Sequence, residues 1–136
     1  GNYFTKIQNV LKQNYKLTNK SKILMLGMSY KEDVGDMRHS PSVTLLKHLL
    51  YYSKNIKIND PFYKSRILKC EYIETQNNLK DFDLVLLCTA HKQYKNLNAN
   101  LFQKRAVIID LNNVLNKNQT IEFKKKLKTF KLGNND

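Results

Sequence analysis

Residues 22–41 read KILMLGMSYKEDVGDMRHSP and contain the turn around which the fold is organised. Ile23–Leu26 is a short apolar run closed by Gly27, which is typical of a buried strand in a parallel sheet. At the other end, Ser40 can cap a helix that begins at Pro41 and repeats apolar residues at helical spacing: Val43, Leu46, Leu49 and Leu50. The connection between them therefore leaves the carboxyl end of a strand, where open α/β sheets bind their ligands.

That connection is dense in fixed charge. Lys31 and Arg38 stand among three acids, Glu32, Asp33 and Asp36. An arginine that is forked onto a neighbouring carboxylate is held rigid for a second, bidentate anion, such as a phosphate or a carboxylate. The alternative is a solvated surface loop with incidental ion pairs, which contribute little to stability. The flanking strand, glycine and capped helix favour a ligand-binding loop.

The usual nucleotide-binding fingerprints do not occur in the sequence. A dinucleotide-binding turn needs glycines at G-x-G-x-x-G spacing, whereas the next glycine after Gly27 is Gly35. There is no phosphate loop of the G-x-x-x-x-G-K type either. Asp60 stands where a cofactor-binding domain would place its ribose-binding acid, but next to Pro61 it is better explained as a strand terminus and turn.

Apolar runs and helical repeats alternate along the chain. Strands are predicted at 22–26, 55–59, 83–88 and 106–110, with shorter strands at 72–73 and 129–132. Helices are predicted at 3–16, 41–52 and 118–127, with a helical turn near Leu79. This alternation predicts the α/β class, as a Rossmann-like, doubly wound parallel sheet. A chain of 136 residues is long enough to bury the core of a single domain.

Five segments, in the same order, resemble the C-terminal, UDP-binding domain of the UDP-glucose/GDP-mannose dehydrogenase family. Residues 22–41 resemble a pattern of apolar strand, G-x-[AS]-[FY]-K, a polar stretch, D-x-R and S-P. The other segments are Asn59–Tyr63, similar to a strand-ending D-P-[FY]; Asp81–Leu87, similar to an A-D-a-l-v-l strand; Thr89–Tyr94, similar to T-x-[HW]-x-x-[FY]; and Val107–Asp110, similar to the last strand. Five matches in register are far more specific than any one of them.

The resemblance implies an enzyme that oxidises the C6 primary alcohol of a nucleotide sugar to a carboxylate, with two NAD+ in succession. Such enzymes combine an N-terminal cofactor-binding domain, a central helical region with the dimer contact and the catalytic Cys, and a C-terminal domain that closes over the nucleotide sugar.

Residues 1–20 would then be a helix and linker arriving from a missing central domain, and residues 21–136 the nucleotide-sugar-binding domain. Gly1 in place of Met is typical of a segment cut from a longer protein, or of tag removal. This fragment alone is expected to be inactive and to contain no catalytic residue, and the intact enzyme is expected to be a homodimer.

Four residues of the charged connection take roles from the resemblance. Tyr30 and Lys31 match the aromatic–Lys pair that lines the nucleotide-sugar pocket, where Lys31 would supply charge to the substrate. Arg38 matches an Arg that reaches the cofactor side of the cleft, with Asp36 as its orienting partner.

Asn112 departs from the family, because it stands where many UDP-glucose dehydrogenases have the Arg of D-G-R. Either the sugar differs, as in the branches of the family that act on N-acetylhexosamine or mannose donors, or another residue supplies the charge. The expected substrate is UDP-glucose or a UDP-N-acetylhexosamine.

The net charge of +13 and the pI of about 9.7 support an alternative, a basic nucleic-acid-binding module without enzymatic activity. The distribution of charge argues against it. Arginine, which reads bases and phosphates bidentately, occurs only at positions 38, 66 and 105. The most concentrated lysines, Lys124–Lys126, follow Ile121 and Phe123 and are explained as the solvated face of a short amphipathic helix.

Cysteine and histidine give weaker signals. Cys70 and Cys88 lack the spacing of a metal site, and neither matches the family's catalytic Cys. His91 leaves a strand at the same edge as Lys31, but the family pattern accepts Trp there, which favours packing over proton transfer. The apolar runs are too short to cross a bilayer and no signal peptide is visible, so a cytoplasmic location is expected.

Overall fold

A six-stranded parallel sheet forms the centre of the protein in the computed structural model, which describes residues 2–76 and 78–132. Its strands are β1 (Ile23–Leu26), β2 (Ile56–Asn59), β3 (Glu71–Tyr72), β4 (Leu84–Leu87), β5 (Val107–Asp110) and β6 (Lys128–Lys131). Their spatial order is β3-β2-β1-β4-β5-β6, and every neighbouring pair is parallel. The predicted Rossmann-like, doubly wound sheet is confirmed.

Within that part of the chain, three α-helices cover the sheet: α1 (Asn2–Asn14), α2 (Pro41–Leu49) and α3 (Lys117–Lys126). α2 begins where the sequence predicts, because Ser40 Oγ accepts a hydrogen bond from Ser42 N–H and Pro41 opens the first turn. α3 begins with a capping box, in which Asn116 and Gln119 each accept a hydrogen bond from the other's backbone amide. None of the described helices is long and apolar enough to cross a membrane.

The central strands are apolar on both faces because the sheet separates two cores. On one face, Met25 lies in a buried cluster with Leu46 of α2 and with apolar residues of α1. On the other face, Leu24 lies in a cluster with Phe123 of α3 and with the segment between β4 and β5. Since successive side chains of a strand point to opposite faces, four consecutive buried residues in β1 serve both layers.

Helix α1 belongs to the first of these cores. Ile7 and Leu11 are 0% and 5% exposed, and both lie in the cluster that includes the sheet. Phe4 stacks on His48 of α2, with ring centroids 5.1 Å apart. The domain division at residue 20 stays a prediction, but α1 packs on this sheet whichever domain its residues are counted with.

Several local predictions differ from the structure. The helix predicted to reach residue 52 ends at Leu49, and the following residues form turns. The short strand is Glu71–Tyr72 instead of 72–73, because only two residues are in register with β2. Residues 80–81 form a turn where a helical turn near Leu79 is predicted. The region after β4, predicted as a plain loop, contains two 3₁₀ helices, Lys92–Asn96 and Ala99–Leu101.

A two-residue hairpin turn at Leu68–Lys69 carries backbone strain. Ile67 and Cys70 exchange two backbone hydrogen bonds, of 2.8 and 3.3 Å. Between them, φ is +50° at Leu68 and +70° at Lys69. Positive φ at both central positions is typical of a type I′ turn, which Asn-Gly adopts at lower cost than two residues with bulky side chains.

Ile7→Ala should lower the free energy of unfolding by about 2–4 kcal/mol, because it removes a fully buried side chain and leaves a cavity in the core that α1 shares with α2 and the sheet. Gln8→Ala, on the exposed side of the same helix, should change it by less than about 0.5 kcal/mol. Chemical denaturation measures both values. Equal stability of the two variants would mean that α1 is not docked on the core.

The double variant Leu68→Asn/Lys69→Gly should raise the free energy of unfolding by about 1 kcal/mol, because Asn-Gly relieves the strain of two left-handed residues. Leu68→Asn/Lys69→Ala is the matched control, since it makes the same loss of charge but keeps a Cβ at the second position. Thermal unfolding should place the control below the Asn-Gly variant. A lower stability of the Asn-Gly variant than of the control would contradict the strain argument.

Candidate functional site

The carboxyl ends of β2, β1 and β4 meet at one edge of the sheet. Asp60 follows β2, Gly27 opens the loop after β1, and Thr89–His91 follow β4. The strand order reverses between β1 and β4, which is where open α/β sheets bind ligands. Residues Gly27–His39, here named the charged loop, therefore lie at the expected position of a binding site.

Asp60 holds the start of the charged loop. Its Oδ2 accepts hydrogen bonds from Met28 N–H at 2.8 Å, Ser29 N–H at 2.8 Å and Ser29 Oγ at 2.6 Å. Oδ2 also lies 2.9 Å from His91 Nε2, and Oδ1 accepts a 2.9 Å hydrogen bond from Phe62 N–H. Burial raises the pKa of Asp60, but these hydrogen bonds outweigh that effect and lower the pKa to about 2. Asp60 is therefore an ionised carboxylate with a structural role.

His91 is fully buried and uses both ring nitrogens. Its Nδ1 accepts a 2.7 Å hydrogen bond from the backbone N–H of Asp33, so Nδ1 carries no proton. The proton of the neutral ring is then on Nε2, which donates to Asp60. The Asp33 carboxylate accepts a further hydrogen bond, of 2.8 Å, from Lys92 N–H. His91 thus joins the end of β2 to the middle of the charged loop, a connection that the packing interpretation leaves out.

Close backbone contacts fix the first residues of the charged loop. Gly27 has a φ of +97°, and a Cβ at this position would lie 2.5 Å from Thr89 N. Thr89 Oγ1 donates to Ser29 O at 3.0 Å, and Ser40 Oγ donates to Met28 O at 2.6 Å. Only glycine combines the left-handed conformation with this close approach of two backbones.

Tyr30 and Lys31, the predicted substrate-binding residues, lie on the exposed part of the charged loop. Tyr30 is 51% exposed, and its N–H donates to Asp36 O at 2.6 Å, which folds the loop back on itself. Lys31 is exposed beside it. The structure places both side chains at the edge of the sheet, and their role in binding a substrate stays a prediction.

Asp36 and Arg38 form a forked ion pair in the same loop. Arg38 Nε and Nη2 lie 3.1 Å from Asp36 Oδ1 and Oδ2, respectively. Hydrogen bonding to Arg38 lowers the pKa of Asp36 to about 2, and hydrogen bonding to Asp36 raises the pKa of Arg38. The Arg38 side chain is 85% exposed, so the planar guanidinium is oriented by Asp36 at the protein surface. Its predicted contact with a cofactor stays a prediction.

Asp110 organises the loop after β5 in a similar way. Its carboxylate is 0% exposed and lies 3.7 Å from Lys131 Nζ. It accepts hydrogen bonds of 3.2, 2.9 and 2.9 Å from the backbone amides of Asn112, Val114 and Leu115. Asn112 Nδ2 also lies 3.4 Å from Cys88 O. Asn112, which the resemblance aligns with the Arg of many UDP-glucose dehydrogenases, is thus a neutral amide bound to the carboxyl edge of the sheet.

The two cysteines are buried and free. Burial raises the pKa of both thiols, and that of Cys88 to about 12. A thiol with so high a pKa is not a nucleophile at neutral pH. In residues 2–76 and 78–132, no three His, Cys, Asp or Glu side chains are grouped so as to hold a metal ion.

The sequence places His91 at this edge as a packing residue and Asp60 in a turn, but it does not predict the hydrogen bonds that join them to the charged loop. Asp60 does follow the end of β2, but the strand-terminus interpretation omits the five hydrogen bonds that its carboxylate receives. One signal could have found the pair. Both residues follow strands that neighbour β1 in the parallel order, so the strand ends bring them together above Gly27.

Asp60→Asn should destabilise the protein by about 3–5 kcal/mol at pH 7, because an amide donor then faces buried N–H groups. The folded-state pKa of about 2 lies below the ordinary 3.8, so ionised Asp60 stabilises the fold above pH 4. This contribution, about 2 kcal/mol, is lost as the pH falls from 4 towards 2. The stability of the variant should therefore fall less steeply with acid than that of the wild type.

The matched control is Asp81→Asn, since the Asp81 side chain is 70% exposed in a surface pair with Lys22. It should stay within about 0.5 kcal/mol of the wild type and keep the wild-type dependence on pH. Unfolding by denaturant at a series of pH values gives both quantities. Equal stability of Asp60→Asn and Asp81→Asn would show that the buried carboxylate does not hold the loop.

The sequence model of the UDP-glucose/GDP-mannose dehydrogenase family, UDP binding domain, matches residues 24–117. That range is well over half of the chain. It runs from β1 to the start of α3 and includes the charged loop, Asp60 and His91.

Known relatives carry a similar segment within longer chains. UDP-N-acetyl-D-mannosamine dehydrogenase from Methanococcus aeolicus is 28% identical over 103 residues, which cover 71% of this chain and 23% of the relative. UDP-glucose 6-dehydrogenase from Rickettsia conorii is 29% identical over 133 residues, which cover 89% and 29%. The crystal structure of NDP-N-acetyl-D-galactosaminuronic acid dehydrogenase from Methanosarcina mazei Go1 has the same fold, with a TM-score of 0.76 and a sequence identity of 23%. The similarity covers 97% of this chain and 28% of that protein.

The chain spans less than a third of the length of each of these proteins. The part it spans is the one that the family model describes as binding UDP. Sequence and fold agree on this part, because the matched residues include most of β1, all of β2 to β5 and the carboxyl edge of these strands. The chain belongs to the UDP-glucose/GDP-mannose dehydrogenase family and corresponds to its C-terminal, UDP-binding domain.

Proposed function

We propose that this chain is the nucleotide-sugar-binding domain of an NAD-dependent UDP-sugar 6-dehydrogenase, which oxidises the C6 alcohol of the sugar to a carboxylate. The family supplies the reaction class. The observation that carries the proposal is the charged loop, in which Tyr30 and Lys31 are exposed between two fixed backbone amides, those of Ser29 and Asp33. A ligand that enters at this edge meets side chains whose backbone is already ordered.

The two exposed residues suit the two ends of a nucleotide diphosphate. The Tyr30 ring offers an apolar face and a polar hydroxyl, which together suit a base or a sugar ring. The Lys31 ammonium group is a compact positive charge that suits the diphosphate bridge. An ordered loop also lowers the entropy cost of binding, because fewer side chains and backbone bonds must be fixed.

Arg38 is proposed to contact NAD, which would accept the hydride from the sugar. The residues present fit this role, because the pair with Asp36 uses Nε and Nη2 and leaves a planar, exposed guanidinium for a second anion. The chain contains no G-x-G-x-x-G turn. Most of NAD would therefore be held by a domain outside this sequence, as would the catalytic Cys, since Cys88 is buried with a pKa of about 12.

The proposed substrate is UDP-glucose or a UDP-N-acetylhexosamine. Similar proteins are named as dehydrogenases of UDP-N-acetyl-D-mannosamine and of UDP-glucose, so both kinds of sugar donor occur among the relatives. Asn112 is a neutral amide where the resemblance expects an Arg. This favours a nucleotide sugar that is bound by uncharged hydrogen bonds at this point. We expect the intact enzyme to be a cytoplasmic homodimer.

Calorimetric titration of the full-length enzyme with UDP-glucose, UDP-N-acetylglucosamine, UDP-N-acetylmannosamine and GDP-mannose should show preferred binding of a UDP-sugar. Lys31→Ala should weaken that binding tenfold or more, about 1.4 kcal/mol, because it removes the charge proposed to face the diphosphate. Lys20→Ala is the matched control, since Lys20 is an exposed lysine that precedes the amino end of β1. It should leave the affinity unchanged.

Two other outcomes would contradict the proposal at different levels. If Lys31→Ala binds like the wild type, the charged loop is not the substrate site, although the family assignment stands. If no nucleotide sugar binds, the binding function itself is wrong. The net charge of +13 then favours the nucleic-acid alternative, which a titration with duplex DNA and single-stranded RNA at two salt concentrations would test.

A further inference from the structure

We propose that His91 is a positioning residue for nucleotide-sugar binding. It fixes the Tyr30–Lys31 segment, because it links the Asp33 backbone amide to the buried carboxylate of Asp60. The inference rests on the function proposed for that segment. In this role the buried His91 side chain acts on binding without touching the ligand.

The span Tyr30–Glu32 is held between two hydrogen-bonded amides. Ser29 N–H donates to Asp60 Oδ2 at 2.8 Å, and Asp33 N–H donates to His91 Nδ1 at 2.7 Å. The two acceptors are themselves joined, because His91 Nε2 donates to Asp60 Oδ2 at 2.9 Å. One buried pair therefore sets both ends of the short span that carries the exposed side chains.

The imidazole ring is fixed in its orientation. It is fully buried, and the ring centroids of Phe62 and Tyr94 lie 5.2 and 5.7 Å from its own. Tyr94 is in turn tied to β2, since its hydroxyl donates to Asn59 Oδ1 at 2.8 Å. Because solvent does not reach the ring, its two nitrogens depend on Asp33 and Asp60 for their hydrogen bonds.

Asp33 has a backbone conformation that needs this support. Its φ is +60°, in the left-handed region that non-glycine residues occupy only when their surroundings hold them there. His91 binds its N–H, and its carboxylate accepts the 2.8 Å hydrogen bond from Lys92 N–H. Without the His91 acceptor, Asp33 can relax to an ordinary conformation and the span before it loses its fixed end. Ligand binding would then include the entropy cost of ordering the loop, which lowers affinity.

Three substitutions separate the two hydrogen bonds of His91. His91→Asn keeps an acceptor near the position of Nδ1 but loses the donor to Asp60. His91→Gln keeps a donor near the position of Nε2 but loses the acceptor for Asp33. His91→Phe keeps a ring and loses both. The matched control is His48→Gln, because His48 lies on α2 and stacks on Phe4, apart from the charged loop.

Each full-length variant is measured in three ways. Calorimetry gives the affinity for the UDP-sugar that the wild type binds, thermal unfolding gives Tm, and hydrogen exchange followed by mass spectrometry gives the protection of residues 29–36. We expect affinity to fall tenfold or more in His91→Gln and His91→Phe and by clearly less in His91→Asn. Tm should follow the opposite order, with His91→Gln above His91→Asn, because Gln leaves the buried carboxylate of Asp60 with its donor.

Opposite orders of affinity and Tm distinguish positioning from a purely structural role, for which affinity would follow Tm in every variant. Hydrogen exchange in residues 29–36 should quicken in His91→Gln and His91→Phe before any ligand is added. The inference is overturned if affinity follows Tm across the series, or if all three variants bind like the wild type. Failure of the proposed function differs, because the wild type itself then binds no nucleotide sugar. In that case the effect of His91 on ligand affinity cannot hold either. The ordering of residues 29–36 by His91 would still be tested, and unchanged hydrogen exchange in His91→Phe would overturn it.

Discussion

The loops at the carboxyl edge of the sheet depend on the hydrogen bonds of one ionised carboxylate, that of Asp60. Burying a charge is costly unless hydrogen bonds replace its hydration, and Asp60, at 1% exposure, receives five of them. The donors follow β1, β2 and β4, so a single side chain fixes the relative positions of three neighbouring strand ends. Asp60 and His91 thus order the exposed part of the charged loop through its backbone amides. The exposed side chains take no part in these hydrogen bonds.

Local sequence predicts much of this architecture. Apolar runs mark the central strands, Ser40–Pro41 marks the start of α2, and the fork between Asp36 and Arg38 can be anticipated because the two residues are close in sequence. The Asp60–His91 pair cannot be anticipated in this way. Its members are 31 residues apart and meet only through the order of parallel strands. The 3₁₀ helix Lys92–Asn96 likewise depends on a residue far along the chain, because the Gln119 side chain of α3 donates to the carbonyls of Tyr94 and Leu97, at 3.0 and 2.9 Å.

Part of the positive charge of the chain is used within the fold. Lys95 Nζ donates to Val114 O at 2.8 Å, and Lys80 Nζ donates to Asn100 O at 2.8 Å. Lys131 Nζ donates to Leu115 O at 3.1 Å and lies beside the buried Asp110. Lysines that hold loop carbonyls in this way are less available to contact phosphates along a nucleic acid. These contacts fix the positions of three ammonium groups by the fold, although they leave the net charge of +13 unchanged.

The two edges of the sheet have a consequence for solubility. Three central strands are buried along their whole length, and such apolar segments associate between molecules when an open sheet edge can template them. Here one edge strand, Glu71–Tyr72, is only two residues long, and the other, β6, begins and ends with Lys128 and Lys131. Short edges and edge lysines both hinder strand addition. The fold thus limits its own aggregation at the places where a parallel sheet is most vulnerable.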